Sequence, residues 1–224
     1  VLITGAAGGI GVGLVEALVE AGWSVLGSDH PSVSPSENLL QRCQAWIPAD
    51  LGALSRDPHQ LETLRSSVLS AVGNDELMAV VHNAAVQRLG SFEQLGLADW
   101  QETLDVNLMA PVAISRALLP QLKRQRGSIV HIGSIHSQLT KPGFTAYATS
   151  KAALAGLTRA MAVELGGSVR VNAIEPAAIA TPMLEAGFAQ NPDLRAHLDA
   201  FHPSGSIGSP GDVARTVLFL LNPA

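Results

Sequence analysis

A single cysteine, Cys43, leaves no partner for an internal disulfide in a chain of 224 residues. The fold must therefore be held by its core, and a cytoplasmic, reducing location is expected. Aromatic residues make up only 4% of the chain, too few for the base-stacking platforms of a single-strand nucleic-acid binder. Three lysines accompany eleven arginines, the formal net charge is −5, and no basic stripe is visible. A duplex-binding surface is excluded on the same grounds. No apolar run reaches the roughly 18 residues that span a bilayer, so no membrane partner is expected. No basic segment precedes Val1-Leu2-Ile3, and a signal peptide is not expected. The seven histidines form no HExxH and no Cys/His cluster, so no metal is expected.

What is present is hydrophobic. At 47% apolar and 15% charged residues, the chain has enough for one sizeable core, and residues 1–224 are read as one domain. Short apolar strand patterns at Val1–Ile3, Trp23–Ser28, Gln44–Pro48, Leu77–His82, Ser128–Ile132 and Val169–Ile174 alternate with helical spacing. The helical runs are Val12–Val19, Glu37–Arg42, Leu61–Val72, Ala98–Leu108, Pro111–Arg124, Tyr147–Leu165 and Gly211–Leu221. Gly22 is placed to stop the first of them, and Gly73-Asn74-Asp75 to turn the chain after the third. Six strands separated by helices predict an α/β fold, a three-layer doubly wound parallel sheet.

Between the first strand and the first helix lies Thr4-Gly5-Ala6-Ala7-Gly8-Gly9-Ile10-Gly11. Glycines there allow a tight turn and close backbone approach to a pyrophosphate, which the positive end of the helix favours. A purely structural turn is the alternative. Asp29, 18 residues beyond Gly11 at the end of the second strand, weighs against it. A carboxylate at that place accepts hydrogen bonds from adenosine ribose hydroxyls and repels a 2′-phosphate. No Arg or Lys stands in the glycine loop or directly after Asp29. NAD is therefore expected as cofactor in preference to NADP.

The only tyrosine, Tyr147, is followed at i+4 by Lys151. On a helix the two share a face one turn apart. An ammonium beside a phenol favours the phenolate, so a lowered tyrosine pKa is expected, together with proton transfer. A surface helix that happens to carry both residues is the alternative.

With the glycine spacing, Ser134, and Tyr147-x3-Lys151 thirteen residues further on, the chain resembles the short-chain dehydrogenase/reductase family over nearly its whole length. Asp50-Leu51, Asn83-Ala84-Ala85, Leu104-Asp105-Val106-Asn107, Arg170-Val171-Asn172 and Pro176-x4-Thr181 also fit that family's pattern. The resemblance implies a Rossmann fold with strand order 3-2-1-4-5-6. It implies that Tyr147 is the general acid or base, that Lys151 lowers its pKa and holds the nicotinamide ribose, and that Ser134 polarises the substrate oxygen. Asn107 would sit at a helix bend and position a water of the proton relay. Gly5, Ala7, Gly8, Ile10 and Gly11 would meet the pyrophosphate and Asp29 the ribose. Asp50, Leu51, Asn83, Ala84 and Ala85 would surround the adenosine, and Pro176, Ile179 and Thr181 the nicotinamide. Hydride chemistry belongs to the cofactor; the protein supplies orientation and a proton route.

The chain departs from the family at His82, where asparagine is usual, at Ala177, where glycine is usual, and in lacking a seventh strand after the last helix. A substrate lid is expected around 183–209. His136, Gln138, Gln87 and Glu175 are the polar candidates for the substrate pocket, with backbone-bonded loop roles as alternatives. Few aromatics favour a sugar, polyol or small hydroxy acid over a steroid. The functional expectation is interconversion of a secondary alcohol and a ketone with NAD(H). A 3-oxoacyl thioester reductase is the alternative within the family, and a non-catalytic nicotinamide-binding regulator the alternative outside it. Ala148, Ala152, Ala155 and Gly156 on one helix suit packing between subunits of a homodimer or homotetramer.

Overall fold

The strands at the centre of the sheet are buried along their whole length, as a parallel sheet covered by helices on both sides requires. The computed structural model describes residues 1–73, 77–186, 188 and 192–222. Six strands pair in parallel: β1 (Leu2–Thr4), β2 (Leu26–Ser28), β3 (Ala45–Trp46), β4 (Ala79–His82), β5 (Ser128–Ile132) and β6 (Arg170–Ile174). Their order is β3-β2-β1-β4-β5-β6, as expected. Around them lie α1 (Gly9–Glu20), α2 (Glu37–Arg42), α3 (Leu51–Leu54), α4 (Pro58–Val72), α5 (Leu97–Leu104), α6 (Ala110–Arg124), α7 (Thr145–Leu165), α8 (Pro182–Ala186), α9 (Pro192–Ala200) and α10 (Pro210–Leu221).

Alternation along the strands splits the core into two layers. Leu2, Leu26, Val80 and Ile129 face a layer built with Leu64, Val68, Ile114 and Leu118 of α4 and α6. Ile3, Val25, Val81 and Val130 face the opposite layer, with Leu14 and Leu18 of α1 and Val213 and Val217 of α10. Each fully buried leucine or isoleucine contributes about 1.5–3 kcal/mol. Gly22 stops α1 at φ +85°, and Ser209 caps α10 in a reciprocal pair with Asp212.

Several expectations need correction. The runs expected at Ala98–Leu108 and Pro111–Arg124 form one helical path, joined by a π-helix at Asp105–Met109. The short helices α3 and α9 were not anticipated. They are brief, and in α9 apolar spacing is weak. The segment 183–209, expected as a loop, carries the end of α8 and all of α9; within it residues 187 and 189–191 lie outside the described residues, as do Asn74 and Asp75 of the expected turn. Cys43 is free and half-buried, and burial raises its thiol pKa. No helix among the described residues is long and apolar enough to cross a membrane.

Candidate active site

The order of strands reverses direction between β1 and β4, and a crevice opens at their carboxyl ends, where such sheets bind ligands. It is a cleft of about 790 Å³, lined by the glycine loop, Asp29, Asp50, Asn83 to Val86, Val106 and Thr181. Gly5 makes the first turn at φ +64°, and a side chain there would lie 2.7 Å from the Cα of Ala84. A Cβ on Gly11 would fall 2.0 Å from the carbonyl oxygen of Gly5. The loop is therefore closed to larger residues at both positions. Gly8 begins α1 with no side-chain cap, which leaves the first N–H groups for an anionic ligand.

Asp29 serves the loop and the cleft together. Its Oδ2 accepts from Ala7 N at 2.9 Å and its Oδ1 from His30 N at 2.8 Å. Each carboxylate oxygen keeps a second lone pair for a ribose hydroxyl. Asp50 caps α3 by accepting from Gly52 N at 2.9 Å, and Leu51 is buried beside it. Asn83, which lines the cleft, also fastens the loop: its Nδ2 donates to Thr4 O at 3.1 Å and Gly5 O at 2.9 Å. Thr181 closes over Gly9, whose Cβ would lie 2.7 Å from it. Pro176 O accepts from Ile135 N at 2.9 Å, and Ile179 packs on Gly208. These residues fit an extended dinucleotide: a close-approach loop, a free helix N-terminus and a ribose carboxylate.

Ser134, buried, stands before the 3-10 turn Ile135–Ser137, and its Oγ accepts from His136 N at 3.2 Å. Its hydroxyl acts on Tyr147 by favouring the phenolate. Tyr147 lies in the first turn of α7, and Lys151 one turn later is 2% exposed. Lys151 Nζ donates to Ile132 O at 2.8 Å and lies 5.6 Å from the centroid of the Tyr147 ring.

The tyrosine pKa is raised, against expectation, because burial outweighs the Ser134 hydrogen bond. The ammonium sits over the ring and is bonded to a strand carbonyl. Burial pushes Lys151 itself down to about 8.

Asn107 lies in the π-helix, where Ala110 N reaches back to Asp105 O; such bulges gather at functional sites. Its side chain is fully engaged. Oδ1 accepts from Val86 N at 2.8 Å, and Nδ2 donates to Val86 O at 2.9 Å and Ser150 Oγ at 3.0 Å. Ser150 in turn donates to Tyr147 O at 2.7 Å. Val86 lines the cleft, so this line of bonds joins the cleft to the Ser134–Tyr147–Lys151 group beyond it.

A family model described as enoyl-(acyl carrier protein) reductase matches residues 5–224. An uncharacterized oxidoreductase of Schizosaccharomyces pombe is 35% identical over 98% of this chain and 82% of its own. The chain belongs to the short-chain dehydrogenase/reductase family. It is an NAD(P)-dependent oxidoreductase of CH–OH donors. The L-fucose dehydrogenase of Mus musculus is 32% identical over 100% of this chain and 82% of its own. A solved NADPH-bound short-chain oxidoreductase of Pseudomonas aeruginosa PAO1, which contains an atypical catalytic centre, superposes with TM-score 0.87 at 27% identity, covering 99% of this chain and 89% of that one.

Around the dehydrogenase's tyrosine, His136 stacks on Phe144 with centroids 4.4 Å apart, and both rings present edges to Tyr147 at 5.9 and 6.2 Å. Burial, then Lys141, lowers the His136 pKa. Gln138 Nε2 donates to Glu175 Oε2 at 2.9 Å. Gln87 is exposed. No metal-ligating cluster occurs among the described residues.

Sequence reasoning passed over Pro111 and Phe144. Pro111, four residues after Asn107, was legible: it has no N–H, so the Asn107 carbonyl loses its α-helical donor. Pro111→Ala restores that donor. Turnover is expected to fall on the order of tenfold, the small end of proton-transfer contributions, with dinucleotide affinity unchanged; steady-state kinetics and fluorescence titration check both.

Proposed function

We propose that this enzyme interconverts a secondary alcohol and a ketone with NAD(H), and that its substrate is a small, neutral polyhydroxylated molecule of the sugar or polyol kind. The observation that carries the reading is the buried Lys151 one helical turn from Tyr147, its Nζ 5.6 Å from the centroid of that ring, with the buried Ser134 opposite. Tyr147 gives its proton to a carbonyl oxygen in reduction and takes it from the alcohol in oxidation. Ser134 holds that oxygen in line. Lys151 holds the ribose hydroxyls of the nicotinamide half with the protons its Ile132 bond leaves free. The Asn107 side chain is already spent, so its main-chain carbonyl holds the relay water. The dinucleotide, when bound, supplies or accepts the hydride.

Polarity supports the substrate class. Glu175 lies over Gly133, the neighbour of Ser134, and with Gln138 offers acceptors that suit hydroxyl groups and repel carboxylates. A neutral polyol is thus favoured over a hydroxy acid, with His136 and Gln138 in contact and Gln87 at the rim. The 3-oxoacyl-(acyl carrier protein) reductases among this enzyme's relatives, 30% and 32% identical in Vibrio harveyi and Thermotoga maritima, favour a second reading, a 3-oxoacyl thioester reductase. For cofactor choice the support is Asp29. Arg56, which also lines the cleft, is already paired with Asp105 at 3.2 Å. We further propose a homodimer or homotetramer packed through α7, whose Val163 is 89% exposed.

Turnover of polyols, hydroxy acids and acyl thioesters tests the substrate reading. Polyols should lead, and Tyr147→Phe should lower their kcat by about 10²–10⁴-fold with dinucleotide binding kept; preference for thioesters gives the second reading. NADH should bind more tightly than NADPH by nicotinamide fluorescence, and Asp29→Ser should narrow or reverse the gap. The Lys151 ammonium, held down to about 8, is the form that donates. Dinucleotide affinity should therefore hold below that pH and fall above it, and Lys151→Met should bind weakly without the slope.

A further inference from the structure

The π-helix turns three consecutive side chains toward three different parts of the site. Val106 lines the cleft, Asn107 bonds Val86 and Ser150, and Asp105 reaches α3. Asp105 is 2% exposed, a buried carboxylate that the proton-transfer group does not use. Its Oδ1 accepts from Ser55 Oγ and Gln101 Nε2, each at 3.1 Å. Its Oδ2 has no hydrogen bond among the described residues and meets only the Arg56 guanidinium, 3.2 Å away. A buried carboxylate that loses its cation is strongly penalised, so the pair resists separation.

Arg56 itself is largely exposed, with 62% of its side chain accessible. It lines the cleft beside Asp50 and Gly52 and donates to Gly52 O at 3.0 Å. Gly52 N is the donor that Asp50 accepts at 2.9 Å. Helix α3, the wall at the Asp50–Leu51 end of the cleft, is thereby fastened to the turn that holds Asn107.

We propose that the Arg56–Asp105 pair couples occupation of the adenosine end of the cleft to the setting of Asn107, which makes Asp105 a positioning residue for the proton relay. The proposal rests on the reading that Asp50 and Leu51 receive the adenosine. A ligand that orders α3 orders Asp105 through the pair and the Ser55 hydroxyl, and Asp105 lies two residues from Asn107 in a five-residue π-turn. Coupling of this kind is reciprocal, and it runs through contacts that are continuous on both sides.

Amide hydrogen exchange tests it without turnover. The reporters are the Val86 amide, which donates to Asn107 Oδ1, and residues 105–109; the probe is ADP-ribose, which has the adenosine and pyrophosphate but no nicotinamide. In the unaltered protein, saturating ADP-ribose should slow exchange at these reporters about fivefold or more. Arg56→Met, brought to saturation at whatever ADP-ribose concentration calorimetry shows it needs, should lose most of that slowing. Arg56→Lys should regain it. A role confined to stability would change exchange equally with and without ligand, and that result would overturn the coupling. Equal slowing in the unaltered protein and Arg56→Met would overturn it as well. Failure of ADP-ribose to bind, seen by calorimetry, would sink the reading of the cleft together with the coupling, whereas a wrong substrate class would leave every outcome here unmoved.

Discussion

Everything in this site hangs on how the ends of β1 and β4 are tied together. Thr4 Oγ1 accepts from the backbone N–H groups of Asn83 and Ala84 at 3.1 and 3.2 Å, and Asn83 returns two bonds from its side chain to the Thr4 and Gly5 carbonyls. Four bonds in a half-buried place fix where the glycine loop leaves the sheet. They also fix Val86, three residues beyond Asn83, which in turn holds Asn107. Through Ser150 the tie reaches α7 and Tyr147. Dinucleotide loop and proton-transfer group are thus set against one another by a single run of hydrogen bonds, each short and each with a partner on a different element.

Electrostatics beneath that run favour one charge. Lys151 is buried with a carbonyl for company, and two neighbouring strands place His82 and His131 in register behind it, rings stacked with centroids 5.2 Å apart. Burial holds His82 well below the ordinary histidine range and His131 at about 4, with the Lys151 charge adding to the latter. Both imidazoles stay neutral, so the lysine has no competing cation inside the layer. Thr158 donates its hydroxyl to Leu154 O and therefore accepts from His131 Nδ1, which fixes that tautomer. His82, a departure from the family pattern, thus stands opposite a second histidine of matching size.

Legibility followed locality. The strand–glycine–helix context, Asp29, and the Tyr147–Lys151 step are short-range patterns, and the fold could be anticipated from them; Ser134 and Asn107 were brought to Tyr147 only by the family resemblance. The side-chain bonds of Asn83 could not be read, because they depend on β1, some eighty residues away. The direction of the Tyr147 pKa was misread for the same reason: spacing gives the lysine's face but not its depth or the carbonyl it chooses. Asp105 looked like one residue of a family pattern, and only packing shows Ser55 and Arg56 against it. In the 183–209 segment, expected as a lid, no apolar spacing marked α9.

The uncapped start of α1 has a further consequence. A helix whose first N–H groups lack a side-chain partner is incomplete until something anionic arrives. A bound pyrophosphate would act as the missing capping group, so the first turn of α1 and the strand behind it would be firmer in the loaded enzyme than in the free one. Part of the cohesion of this fold is then lent by a diffusible metabolite, and the resistance of the protein to unfolding tracks how much of that metabolite its surroundings hold.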